Sequence, residues 1–338
     1  MKKWIVFLVV VLLATLVSAG CCGDYSSEDS VQPSPTPERP LWSQLGIDTY
    51  WSELMPLFEE GKFAQEEVIT NSGQKLLIVG VSPDISLAET ATEYTAAIIP
   101  ELESLLGIDF VPVTSDKPVA ALIYLPLSRP EGEPAAYGGG SWLAPFGKVY
   151  NFKVTAGDNT VPLVALIHEL SHAFPTCEGP LWWADGASAR YPAKKLYPVV
   201  VEKLNILEEE WRHVFAPCFD PADDRCTAIP EESSTPEKWL EQWRAPYTLD
   251  PELPPLVELE KGGATPGSCG YYASHQGTAL LYGLEELIGE ENMKRFFNYL
   301  VQNRPITNEK IIEAAVYVVP ADQKETVGEM FRTYIFGK

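Results

Sequence analysis

Apolar residues change period several times along the chain, and each change predicts an element. Residues 42 to 65 carry two short amphipathic helical patterns around Trp42, Leu45, Trp51, Leu54 and Phe58. The run Lys75 to Val81, KLLIVGV, predicts a buried strand. Ser86 to Leu106 predicts a helix, with Leu87, Ala91, Tyr94, Ile98, Leu102 and Leu105 at helical spacing. Pro100 lies inside it and predicts a kink or a break, and Gly107 supplies a stop. Val119 to Leu125 predicts a second strand. Tyr137 to Val154 is glycine-rich and then alternates toward a strand ending at Val154. Thr160 and Pro162 open another helix reaching about Phe174.

Beyond residue 186 the pattern is mainly helical. Residues 192 to 212, the segment TPEKWLEQWR from Thr235, and Ser274 to Ile288 each predict a helix. Gly289 breaks the last of these, Glu291 to Val301 continues as another helix, and residues 308 to 335 hold one or two more. The resulting class is α+β: a small mixed sheet backed by helices, followed by a mainly helical C-terminal part. An acidic insert rich in Cys and Pro, residues 213 to 270, is long for a compact domain and is expected to cover a surface or line a cleft.

The N-terminus reads differently. Lys2 and Lys3 precede an apolar stretch from Trp4 to Gly20, so residues 1 to 20 read as a secretory signal or a signal anchor. Ser18, Ala19 and Gly20 lead into Cys21, a pattern that resembles a lipoprotein processing site; an uncleaved helical anchor is the rival. Both place the remainder outside the cytoplasm, attached to a membrane, or secreted if residues 1 to 20 are simply cleaved. Residues 21 to 40 form a Pro-, Ser- and acid-rich tether, and residues 41 to 338 the folded domain, divided at 175/176. In an oxidising compartment Cys177, Cys218, Cys226 and Cys269 are expected to pair, with Cys218–Cys226 and Cys177–Cys269 the simplest of three arrangements.

The chain has 338 residues and a formal charge of −22, from 25 Lys and Arg against 47 Asp and Glu. A basic footprint for nucleic acid is therefore absent. Only four His occur, and two stand in the run Leu166-Ile167-His168-Glu169-Leu170-Ser171-His172. On a helix, positions i and i+4 share a face, so His168 and His172 can bind one Zn²⁺ per chain, while Glu169, offset around the helix, is placed to act as a general base. Leu163, Leu166, Ile167, Leu170 and Phe174 supply the apolar face that such a helix needs.

A site of this kind needs a third protein ligand. Downstream stands Trp182-Trp183-Ala184-Asp185-Gly186. With the H-E-x-x-H run, this segment resembles the gluzincin (peptidase MA-like) zinc metallopeptidases, the group of thermolysin and the aminopeptidases, in which a W-x-x-E-G pattern carries the third ligand. The resemblance covers about residues 75 to 335. It implies a zincin-like fold with an edge strand beside the active-site helix, and it puts the third ligand on Asp185, where many members carry Glu. Glu178 is a weaker candidate. The segment from Ser274 also resembles the aminopeptidase helix pair that follows Y-x-x-G. Gly277 is present, but Ser274 occupies the Tyr position, so the role of oxyanion stabiliser passes to Tyr272 first and His275 second. Gly138-Gly139-Gly140-Ser141-Trp142 falls where the family's substrate-pairing edge strand lies, without the Glu that holds a substrate's free amine. The resemblance thus implies a zinc-dependent peptidase acting on peptides or proteins; the alternative is a zinc-binding surface protein that recognises without cleaving.

Overall fold

Alternation within the strands sets the two faces of the sheet. In the computed structural model Leu76 and Ile78 are fully buried while their neighbours Leu77 and Val79 are partly exposed, the period of two that a strand over a core requires. The structure describes residues 47–110, 119–128, 136–144, 147–156, 160–174, 181–206, 247–249, 251, 253–261 and 270–337. The chain divides into two compact units, residues 1–61 and 62–338. The described part of the first holds helix α1 (Ile47–Glu59), which carries Trp51, Leu54 and Phe58 of the predicted helical patterns; Trp42 and Leu45 lie outside the described residues.

In the second unit, β1 (Phe63–Ile69) and β2 (Lys75–Val81) form an antiparallel hairpin. The sequence reading missed β1. Its residues Gln65, Glu66 and Glu67 are exposed, so no buried stripe advertises it, and its pairing with β2 decides its conformation. Helix α2 (Ile85–Leu106) then crosses to β3 (Val119–Tyr124), which lies parallel to β2. Strands β4 (Ala136–Ala144) and β5 (Gly147–Val154) form a second antiparallel hairpin, with β5 parallel to β3. The sheet order is β1-β2-β3-β5-β4. The glycine-rich segment is thus itself the edge strand β4. A register shift between Tyr137 and Gly140 takes up the two intervening glycines.

Helix α2 starts at Asp84, whose carboxylate accepts from the Ser86 N–H, and ends on Gly107 in the left-handed conformation. It runs through Pro100 as one helix. It lies close over β2: a Cβ on Gly80 would collide with the Ala88 carbonyl, and the Gly80 N–H donates to Thr92 Oγ1 at 3.1 Å. Glu103, buried on α2, holds two loops. Its Oε1 accepts from the Phe110 N–H at 2.8 Å and its Oε2 from the Asn71 N–H at 2.6 Å.

Five further helices follow helix α3 (Leu163–Ser171): α4 (Trp182–Lys203), the short α5 (Leu256–Lys261), α6 (Gly270–Ile288), α7 (Glu290–Gln302) and α8 (Asn308–Val318), and a sixth, α9 (Lys324–Phe336), ends the described chain. The expected α+β arrangement, a small mixed sheet and a mainly helical C-terminal part, is what the structure has. Helix α3 packs against the edge strand β4 and β5 on one side and against α4 on another. The sequence pattern separates the Trp182–Gly186 segment from a helix over residues 192 to 212. In the structure one continuous helix, α4, carries the first and continues into the second as far as Lys203, with Pro192 and Pro198 within it; residues 207–212 lie outside the described residues. The N-terminal signal and tether, the segment from Thr235, Glu178 and all six cysteines lie outside the described residues. Among the described residues, no helix is long and apolar enough to cross a membrane.

Candidate metal centre

Helix α3 is apolar on most of its surface. Leu163, Leu166, Ile167 and Leu170 are fully buried, which fixes the rotation of the helix about its axis. That leaves His168 and His172 on the stripe that meets solvent, both only partly buried. The helix ends at Ser171, earlier than the sequence pattern suggests. Its last turn tightens through i to i+3 bonds: the N–H groups of His172, Ala173 and Phe174 donate to Glu169, Leu170 and Ser171, each at 3.1 Å. His172 keeps right-handed backbone angles at the helix end, so the two imidazoles stay one turn apart.

Their rings meet edge to face with centroids 4.8 Å apart, and their Nε2 atoms approach to 3.2 Å. Two nitrogens bound to one tetrahedral Zn²⁺ at about 2.0–2.1 Å would stand about 3.3 Å apart. The spacing of the pair therefore fits a shared cation. Burial, with the charges of His172 and Arg190, holds the His168 pKa well below the ordinary imidazole value, which leaves its lone pair available.

Asp185 reaches the same pair from the first turn of α4. Its Oδ1 lies 2.9 Å from His172 Nδ1, on the other edge of the ring from Nε2. Among the described residues, no group of three or more His, Cys, Asp or Glu side chains is arranged to hold a metal ion. The physical reason is this placement: the imidazoles offer two converging nitrogens, and the nearby carboxylate engages the back of one ring.

Glu169, between the two histidines in sequence, is buried. Burial pushes its carboxyl pKa up to about 7; His172 opposes the shift and the charge of Asp185 adds to it.

The first turn of α4 is held by residues that no local pattern marks. The Trp183 N–H donates to Glu260 Oε1 at 3.2 Å, and the indole Nε1–H donates to Asn308 Oδ1 at 2.9 Å. A carboxylate at a helix N-terminus also complements the helix dipole. Against α6 the approach is close. A Cβ on Gly186 would collide with Ser274 Oγ, and a Cβ on Gly277 would stand 2.7 Å from the Trp183 ring. Ser274, at the position the resemblance gives to a Tyr, thus lies on α6 directly against Gly186 of α4.

The remaining candidates are placed less closely. Tyr272 stands in the first turn of α6, and its side chain lies outside the described residues. His275 packs on Tyr247 with ring centroids 4.5 Å apart. Burial pushes its pKa down to about 4, and the charges of Arg190 and Lys194 add to this, so it is neutral at physiological pH. Arg190 acts electrostatically on both His168 and His275. Arg190 and Lys194, at i and i+4 on α4, were missed in the sequence, although that spacing puts both on one stripe of the helix that carries Asp185. Lys194 Nζ lies 4.1 Å from the Tyr247 ring centroid, and burial pushes its pKa down to about 8.

In comparisons with known proteins, the chain matches no protein-family model and no curated protein.

Proposed function

We propose that this chain is a zinc-dependent metallopeptidase of zincin-like fold, hydrolysing peptide bonds outside the cytoplasm while attached by its N-terminus to a membrane. The observation that carries the reading is the 3.2 Å approach of His168 and His172 Nε2 on a helix whose intervening Glu169 is buried beside them. His168 and His172 would hold the cation, and Asp185 supplies the carboxylate that serves the pair. Bound zinc supplies Lewis acidity toward a carbonyl oxygen and toward water. Glu169 takes the proton of the attacking water. A C–O bond forms at the scissile carbonyl, the C–N bond breaks, and Glu169 passes the proton to the leaving nitrogen. Arg190 helps keep both His168 and His275 neutral. The edge strand β4, against which α3 packs, offers backbone pairing to an extended peptide.

A second reading, zinc binding without turnover, draws on Ser274, which fills the place of an oxyanion-stabilising phenol and packs near Gly186. Two measurements decide. Zinc content of the wild type is expected at one per chain and is expected to fall in His168→Ala. Peptide-library or casein turnover is expected to stop with a chelator and in Glu169→Gln, which keeps its zinc. Turnover retained by Glu169→Gln would remove Glu169 from the reaction. Zinc without turnover in the wild type would select the second reading.

A further inference from the structure

We infer that Asp185 is a positioning residue that acts through His172, and not a ligand on the metal; the inference rests on the metal-site reading above and specifies how its carboxylate works. An imidazole's two nitrogens point away from each other. His172 turns Nε2 to His168 Nε2 at 3.2 Å and Nδ1 to Asp185 Oδ1 at 2.9 Å. A carboxylate accepts, so Nδ1 carries the proton and donates it, and the Nε2 lone pair is left facing His168. Holding that tautomer and ring orientation is what an outer carboxylate does for a metal-binding His.

Asp185 is held behind the ring for two reasons. Its side chain is one methylene shorter than Glu, so its oxygens stay close to α4. Helix α4 itself is fixed at this level: Trp183 is tied to Glu260 and Asn308, and Gly186 lies against Ser274. These contacts hold the first turn of α4, and with it Asp185, at the Nδ1 edge of His172. The pair is shielded as well, with side-chain exposures of 16% for His172 and 27% for Asp185.

The test uses the full chain and Zn²⁺ alone. Zinc affinity is measured by competition with a chromophoric chelator for wild type, Asp185→Asn, Asp185→Ala and His172→Ala. The His172 ring nitrogens are followed by ¹⁵N–¹H NMR in the metal-free protein. Asn keeps an acceptor for Nδ1–H, so Asp185→Asn is expected to lose about 10–100-fold in affinity or less, with the Nδ1–H signal retained. Asp185→Ala is expected to lose that signal and bind more weakly than Asp185→Asn. His172→Ala is expected to lose far more than either. If Asp185→Asn loses as much affinity as His172→Ala, Asp185 is a ligand, and the inference falls while the metallopeptidase reading stands. If metal-free wild type carries its proton on Nε2, the inference falls without any variant being needed. If wild type binds no zinc, the metal reading fails and takes the inference with it.

Discussion

The contact between Gly186 and Ser274 links the packing of α4 on α6 to the position of Asp185, and it can be tested by exchange. A methyl at 186 would collide with Ser274 Oγ and stand 2.8 Å from Ser274 Cβ. Overpacking of this kind costs about 1–3 kcal/mol. Alanine regains about 1 kcal/mol over glycine in a helix. Gly186→Ala is therefore expected to destabilise by about 1 kcal/mol, a fall in Tm of about 2–4 °C for a unit of this size. Ser274→Gly alone removes the obstacle and costs about 0.5 kcal/mol of helix propensity. In the double variant the clash is gone and the alanine gain remains, so its stability is expected at or slightly above wild type. The coupling between the two sites is then about 1–3 kcal/mol, read by calorimetry or urea unfolding of all four proteins. Zinc affinity is expected to follow: reduced in Gly186→Ala, where Asp185 is pushed from His172, and restored in the double variant. Additive single effects, within about 0.5 kcal/mol, would refute the argument that this glycine sets the helix spacing.

Other predictions follow from buried charge. Burial raises the Glu103 pKa, which the N–H bonds from Asn71 and Phe110 only partly oppose. A carboxyl raised in the folded state contributes stability that is fully present below its ordinary pKa and is lost as pH rises through the raised value. The stability of wild type relative to Glu103→Gln, measured by urea unfolding, is thus expected to decline as pH rises from about 4; a difference that grows with pH would contradict this. Lys195 Nζ lies 2.6 Å from Glu285 Oε1, with side-chain exposures of 25% and 10%. Lys195→Ala removes that carboxylate's ammonium partner and is expected to cost about 1–3 kcal/mol, while Lys195→Met with Glu285→Leu recovers most of it. An equal loss in the single and double variants would show that the pair does not act as a unit.

Local order along the chain was largely legible. The strand Lys75–Val81, the helix closed by Gly107, and the H-E-x-x-H helix each follow from periodicity and cap chemistry written in adjacent residues. The i, i+4 placement of His168 and His172 is likewise a property of helix geometry, so the pair could be named before any fold was known. What the sequence could not carry are relations between residues far apart in it. Strand β1, with its exposed Gln65-Glu66-Glu67, exists because β2 offers it a partner. The resemblance put an edge strand at the glycine run, but its pairing with β5 and its register shift are decided by the fold. Glu103 ties Asn71 to Phe110, and Glu260 and Asn308 pin Trp183, through hydrogen bonds that leave no periodic trace. Above all, the Trp182–Gly186 pattern named Asp185, but the edge of His172 that it meets belongs to the packing of α4, as does how closely α4 lies on α6. That distance is set by a missing side chain at Gly186 and by Ser274 across from it, a tertiary fit that residue types alone do not encode.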